Sequence, residues 1–294
     1  MVRKGTRQEH VDASLVSSYL WPTLIKFHLT ENMRARLYPV FSEYVLELGN
    51  GMPPITVDET IKIFDGILVP YEDDCTSLDH LIDAVFHDIH EYSINISAMM
   101  NRAILTPKNS YVDEINALLI HRFPGKLKRY YSFDGAIDTS EQSIMEDFLN
   151  TLTPNGLPPH ELLLKINCHI MLLRNINLLE GLCNGTQKKV FIPRIPFLPN
   201  VDENSGFPFK RTQFPIRLSF AMTINKSQGQ TFDFVGIYLP QPVFSHGQLY
   251  VALSRAKTAS TVRILIRSVS TERSEKNCTK NIVYKELLRF ASSD

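Results

Sequence analysis

The sequence predicts an α/β protein built on a parallel sheet, and three observations predict it. The run 103-AILTPKN-109 is short, apolar and closed by a turn signal. It is followed by 110-SYVDEINALLIHRF-123, whose apolar residues recur at helical spacing. Strand, turn and helix in that order are the unit of an α/β domain. Finally, the apolar runs 216–224 and 233–239 flank a polar segment, the arrangement of ligand-binding loops at the strand ends of such sheets.

Each element has its own justification in the residues. Residues 1–20 are polar and are expected to be disordered. From 21 to 98 the pattern is mostly helical: Phe41, Val45 and Leu48 recur at helical spacing, and Leu78, Leu81, Ile82, Val85, Phe86 and Ile89 form an apolar stripe. The Pro pair at 53–54 and the acidic 72–74 mark loops. In the helix after residue 109, Ser110 is the expected N-cap, Asp113 and Glu114 sit in the first turn, and Val112, Ile115, Leu118 and Leu119 form the buried stripe. Residues 161–166 and 168–175 read as strands and 180–186 as a turn. The Pro- and aromatic-rich 190–217 reads as an extended excursion. Strands over 216–224 and 233–239, a helix over 246–253 and a last strand over 261–268 complete the domain.

Composition narrows the function classes. With 294 residues the chain can bury a sizeable core, and its 31 basic and 31 acidic residues cancel. No global positive field advertises nucleic acid, so any basic surface is local. The four cysteines (Cys75, Cys168, Cys183, Cys278) form no CxxC pair, and the nine histidines show no ligand spacing. That argues against a zinc site or a disulfide framework and fits a reducing compartment. No run approaches the ~18 apolar residues of a membrane span, and the first ten residues are too polar for a signal peptide. The expectation is an intracellular, soluble protein without membrane partners.

The polar segment is 223-TINKSQGQT-231, in which every side chain from Asn225 to Thr231 is polar apart from one glycine. A second polar cluster closes 250-YVALSRAK-257. An ordinary solvated loop would explain the first cluster alone. Two donor-rich patches bracketing one strand point instead to a bound polyanion, with the glycine allowing close backbone approach. Arginine has a specific use there, because its planar fork matches charge spread over phosphoryl oxygens.

On these residues the chain resembles superfamily 1 DNA helicases of the Pif type, the branch carried by Helitron transposons. The stretches 218–240 and 243–257 resemble helicase motifs V and VI, and further echoes lie at 29-LTENMR-34, 103–109, 154–165, 170–177 and 181–186. The resemblance implies RecA-like α/β architecture of the P-loop NTPase type. On it, 21–98 would be the end of a first RecA-like domain and 99–268 the second. A small, truncated SH3-like β insert would fall at about 155–215, with 269–294 a C-terminal tail or helix.

It also implies ATP and Mg²⁺ as cofactors, single-stranded and forked duplex DNA as partners, 5′–3′ unwinding and a nuclear location. Arg34 and Arg255 would face the ATP γ-phosphate as the catalytic residues. Gly229, Gln230 and Thr231 would lie on the nucleotide side, with Gln228 coupling the two sites. Thr223, Asn225 and Lys226 would face the DNA backbone, helped by Lys210 and Arg211. Amide and hydroxyl donors of this kind hold phosphates without reading bases.

The departures are as informative. The phosphate-cradling motif GxxxxGK[ST] is absent: the single Gly-Lys pair, Gly125-Lys126, is followed by Leu127 and lacks the upstream glycine. No apolar strand ends in the Asp-Glu pair that would ligate magnesium. The chain alone is therefore expected to be catalytically inactive, with a P-loop-bearing N-terminal half as a candidate partner. Three readings stay open: the C-terminal portion of an ATP-dependent helicase, a non-catalytic single-stranded-DNA-binding module, and a transposon-derived remnant. The aromatic-basic run 207-FPFKRTQFPIR-217 reads equally as a base-stacking clamp or as core, and Arg122, Lys126, Lys128 and Arg129 read as a solvated face.

Overall fold

The computed structural model describes residues 5–27, 38–52, 59–93, 101–137, 142–154, 156–174, 191–199, 209–267 and 277–292. In chain order these form α1 (Arg7–Asp12), α2 (Pro39–Asn50), β1 (Thr60–Lys62), α3 (Asp74–Val85), β2 (Arg102–Thr106) and α4 (Asn109–Arg122). Next come β3 (Lys128–Tyr131), β4 (Phe133–Ala136), α5 (Gln142–Thr151), β5 (Glu161–Leu164), β6 (Ile170–Leu172), β7 (Ile195–Phe197), β8 (Phe209–Gln213) and β9 (Ile216–Leu218). The chain closes with β10 (Ala221–Thr223), β11 (Phe234–Leu239), α6 (Gln248–Leu253), β12 (Val262–Ile266), β13 (Cys278–Lys280) and α7 (Lys285–Ser292). It divides into two compact units: 1–87 with 101–112 and 222–294, and 88–100 with 113–221.

The first unit carries a four-stranded sheet in the order β10-β2-β11-β12, in which β11 runs parallel to both β2 and β12. The expected parallel sheet is present. Helix α3 packs on it, and Asp73 caps the helix start by accepting from the amides of Cys75 and Thr76, both at 2.9 Å. Its buried Leu78, Leu81, Ile82 and Val85 then form one apolar face. The approach to the sheet is close: a Cβ on Gly236 of β11 would stand 2.7 Å from a Val85 methyl. Helix α2 starts with Pro39 in its first turn and ends on Gly51 at φ +65°, both matching terminal preferences. β1 and β13 form a separate antiparallel pair.

The expected boundary near residue 98 therefore differs from the observed division, since α3 lends its apolar face to the sheet that β2, β11 and β12 build. A second difference concerns 216–224, expected as one strand. It breaks at Ser219–Phe220, so β9 pairs with β6 while β10 joins the parallel sheet.

The second unit is largely antiparallel. β3 pairs with β5, β8 lies between β4 and β7, and β6 pairs with β9. Its small core gathers Leu149, Leu157, Phe197 and Phe209.

Candidate functional site

The polar segment begins where β10 ends. After Thr223 the chain makes a 3-10 turn over Ile224–Ser227, with Ile224 and Ser227 buried and Asn225 and Lys226 exposed. The Ser227 hydroxyl donates to the Ile224 carbonyl at 2.7 Å, so this serine folds the loop rather than facing a ligand. A type II β-turn follows. Gln228 has φ −59° and ψ 130°, Gly229 has φ +85°, and the Gln230 amide donates to the Ser227 carbonyl at 3.0 Å. That turn needs a positive φ at its third position, which glycine adopts most readily. No atom lies within 4 Å of where a Gly229 Cβ would stand, so conformation and not space excludes side chains there. Gln228, Gly229 and Thr231 are exposed and Gln230 half-buried, leaving a donor-rich tip open to solvent.

Helix α6 delivers Arg255 to this turn. Gly247 at φ +68° precedes the helix, and the buried Gln248 reaches back to accept from the Phe244 amide at 3.1 Å. Arg255 follows the last helical turn and is only 7% exposed. Its Nη1 donates to the carbonyls of Gln230 (2.9 Å) and Ser227 (3.3 Å). Nε donates to Val251 and Nη2 to the Ser254 hydroxyl. The two polar clusters of the sequence do meet, and the guanidinium is turned inward onto the chain's own oxygens. Beside it Lys257 pairs with Asp233 at 2.6 Å and Asn101 donates to the same carboxylate, which together hold Asp233 below the usual carboxylate range.

Other sequence-derived candidates fare differently. Lys210 is exposed on β8, opposite Gly135 of β4, in the second unit. Arg211, expected at the DNA backbone, is corrected: it is 0% exposed. Its Nε and Nη2 bind the Asp134 carboxylate, and the remaining donors reach the carbonyls of Leu149, Leu152 and Pro158 at 3.0–3.2 Å. A cation so occupied has no donor for a phosphate. Phe209 lies in the core, whereas Phe214 packs edge-on against Tyr130 with Arg194 over its ring. Arg129 pairs with Glu161 at the surface. Arg34, Phe207 and the 180–186 turn lie outside the described residues.

One positioning residue escaped the sequence reading. Asn116, 4% exposed, donates from Nδ2 to the carbonyls of Leu218 and Ala221 and accepts from the Ala221 amide at 2.9 Å. It satisfies the backbone where β9 hands over to β10. Its signal was an amide side chain beside the apolar stripe of α4.

Among the described residues no three His, Cys, Asp or Glu side chains converge on a point, and the sequence lacks the P-loop. Among the described residues, too, no helix is long and apolar enough to cross a membrane.

Comparison with known proteins places these features. Two family models match: "DNA helicase Pif1, 2B domain" over residues 147–191 and "UvrD-like helicase C-terminal domain" over 218–262. The second covers the whole 223–231 loop and Arg255. The human ATP-dependent DNA helicase PIF1 is 32% identical over 169 residues, covering 51% of this chain and 25% of that protein. Its rat counterpart is 37% identical with the same coverage. The chain thus spans about a quarter of the length of these relatives. The Candida albicans Pif1 helicase structure superposes with TM-score 0.56 at 20% identity, covering 93% of this chain and 62% of that one. The Bacteroides Pif1 structure solved with ADP-AlF3 and ssDNA gives 0.55 at 20%, over 99% and 63%. At that identity the likeness is one of fold.

Proposed function

We propose, from the premise that this chain corresponds to the C-terminal part of a Pif-type superfamily 1 helicase, that it is the strand-gripping portion of an ATP-dependent DNA helicase. The observation that carries the reading is the Ser227–Gln230 turn. It follows directly on half-buried Thr223 and exposed Asn225 and Lys226, whose side-chain donors line the end of a sheet strand. Donors in that row suit successive phosphates of a single strand. The Bacteroides Pif1 structure with ADP-AlF3 was solved in complex with ssDNA, which supports single-stranded DNA as the partner here, and forked duplex DNA is proposed beside it.

Turnover is assigned elsewhere. ATP and Mg²⁺ belong to the proposed complete helicase, and 5′–3′ unwinding and a nuclear site of action go with it. A P-loop-bearing half must supply the lysine and metal ligands that neutralise developing charge in phosphoryl transfer. Within this chain Gly229, Gln230 and Thr231 are the proposed nucleotide-side residues. Arg34 is the other proposed γ-phosphate arginine. The purified chain is therefore expected to bind single strands weakly, at ~10⁻⁴–10⁻⁶ M under physiological salt, without DNA-stimulated ATP hydrolysis.

A fluorescent oligonucleotide titrated at several salt concentrations tests this, with Lys226→Ala beside the parent. Removing one phosphate contact should flatten the salt dependence by about 0.7 in log–log slope. Equal affinity and slope in both proteins would show that the loop is not the DNA contact. Phosphate release that rises with added oligonucleotide would refute the division of labour.

A further inference from the structure

We infer that Arg255 is the positioning residue of the 223–231 loop, clamping both ends of its turn so that the loop holds its binding shape before any nucleotide arrives. The inference rests on the reading of that loop as a DNA contact.

The turn itself is weakly closed. One backbone hydrogen bond, Gln230 to Ser227, spans it, and its tip residues Gln228 and Gly229 are exposed. A single such bond has a small net worth against water and leaves a turn marginal. Arg255 supplies what is missing. Its Nη1 donates to the carbonyl that opens the turn (Ser227, 3.3 Å) and to the carbonyl at its far end (Gln230, 2.9 Å). Its own carbonyl accepts from the Phe232 amide at 3.1 Å, so side chain and main chain grip the segment from two points.

The clamp is in turn anchored on α6. Nε donates to Val251 at 3.0 Å and Nη2 to the Ser254 hydroxyl at 2.8 Å, while that hydroxyl donates to Val251 at 3.0 Å. These bonds fix the plane of the guanidinium. Because the residue is 93% shielded, water competes little for the carbonyls, and charge-assisted bonds in such surroundings are the strong ones. A lysine carries the charge without the planar fork and cannot serve both turn carbonyls while bound to α6.

The experiment is an oligonucleotide titration without nucleotide on the parent, Arg255→Lys, Arg255→Ala, Lys226→Ala and the Arg255→Ala/Lys226→Ala double variant. Amide exchange is measured alongside. Both Arg255 variants should bind about tenfold more weakly, the loss expected when a charged donor leaves its acceptors. The double variant should bind no more weakly than the poorer single variant, since Arg255 acts through the loop that carries Lys226. The Gln230 amide should exchange about tenfold faster, with β11 amides unchanged. Parent-like binding by Arg255→Ala or Arg255→Lys, or strict additivity with Lys226→Ala, would overturn the clamp.

If the parent binds no oligonucleotide, the DNA reading fails, and Gln230 exchange alone decides whether Arg255 holds the turn. If Arg255→Ala does not fold, Gly229→Ala substitutes for it. That change strains φ +85° in open space, and full DNA affinity after it would equally refute the need for this turn shape.

Discussion

Arg211 and Arg255 carry the same planar fork, and both spend it on backbone carbonyls rather than on solvent. Arg211 adds a carboxylate, Asp134, and both side chains are fully shielded. Such a pair is strongly destabilising to break, because the surviving charge stays buried. Arg211→Ala is expected to lose about 3–5 kcal/mol, read as a lower urea midpoint, with Asp134→Asn moving the same way. Asn116→Leu should also destabilise, by about 1–3 kcal/mol for each backbone group of Leu218 and Ala221 left without a partner. Gly229 was legible in the sequence, since glycine best suits the positive φ of the turn it occupies. The inward fate of Arg211 was not: an arginine between lysine and threonine on a polar strand looks exposed from sequence.

Elements were read well where periodicity was strong. Of the expected stripe, Leu78, Leu81, Ile82 and Val85 lie on α3 while Phe86 and Ile89 fall beyond its end, and β2, β11 and β12 follow the expected apolar runs within a residue or two. The run 216–224 was not resolvable from pattern, because no Gly, Pro or Asn marks the break and Ser219 and Phe220 are both buried. What splits it is Asn116 on a different element, satisfying the backbone at the break. A tight seam between elements is that of α3 on β11. Gly236→Ala would place a methyl 2.7 Å from Val85 and 3.1 Å from Ile104. Overpacking of that kind costs about 1–3 kcal/mol, and thermal melting followed by circular dichroism should show it.

At the scale of the whole molecule, acid sensitivity follows from two histidines. Burial lowers the pKa of His169, whose Nδ1 has no hydrogen-bond partner, and of His246, which Arg7 also disfavours when charged. His246 stacks on Tyr284 and accepts from the Tyr284 amide at 3.0 Å, a bond open only to the neutral ring. Both folded-state values lie below the ordinary 6.5, so the unfolded chain takes up protons first as pH falls. Their stability contribution is present above pH ~6.5 and declines below it, by at most about 1.4 kcal/mol per pH unit for each histidine. Urea midpoints at pH 8 and pH 5.5 check the sign: the lower pH should give the lower midpoint.

Read alone, the residues determined the α/β class, the polar loop between two sheet strands, its glycine, and the likeness to Pif-type helicase motifs. All of these depend on local spacing or on backbone conformation, which neighbouring residues dictate. Tertiary structure decided which cations remain available to a phosphate. Arg211 is consumed by a carboxylate 77 residues away, whereas Arg255 braces turn carbonyls 25 and 28 residues away. Whether a guanidinium faces water or protein oxygens depends on partners the fold assembles from distant segments, and no local pattern encodes them.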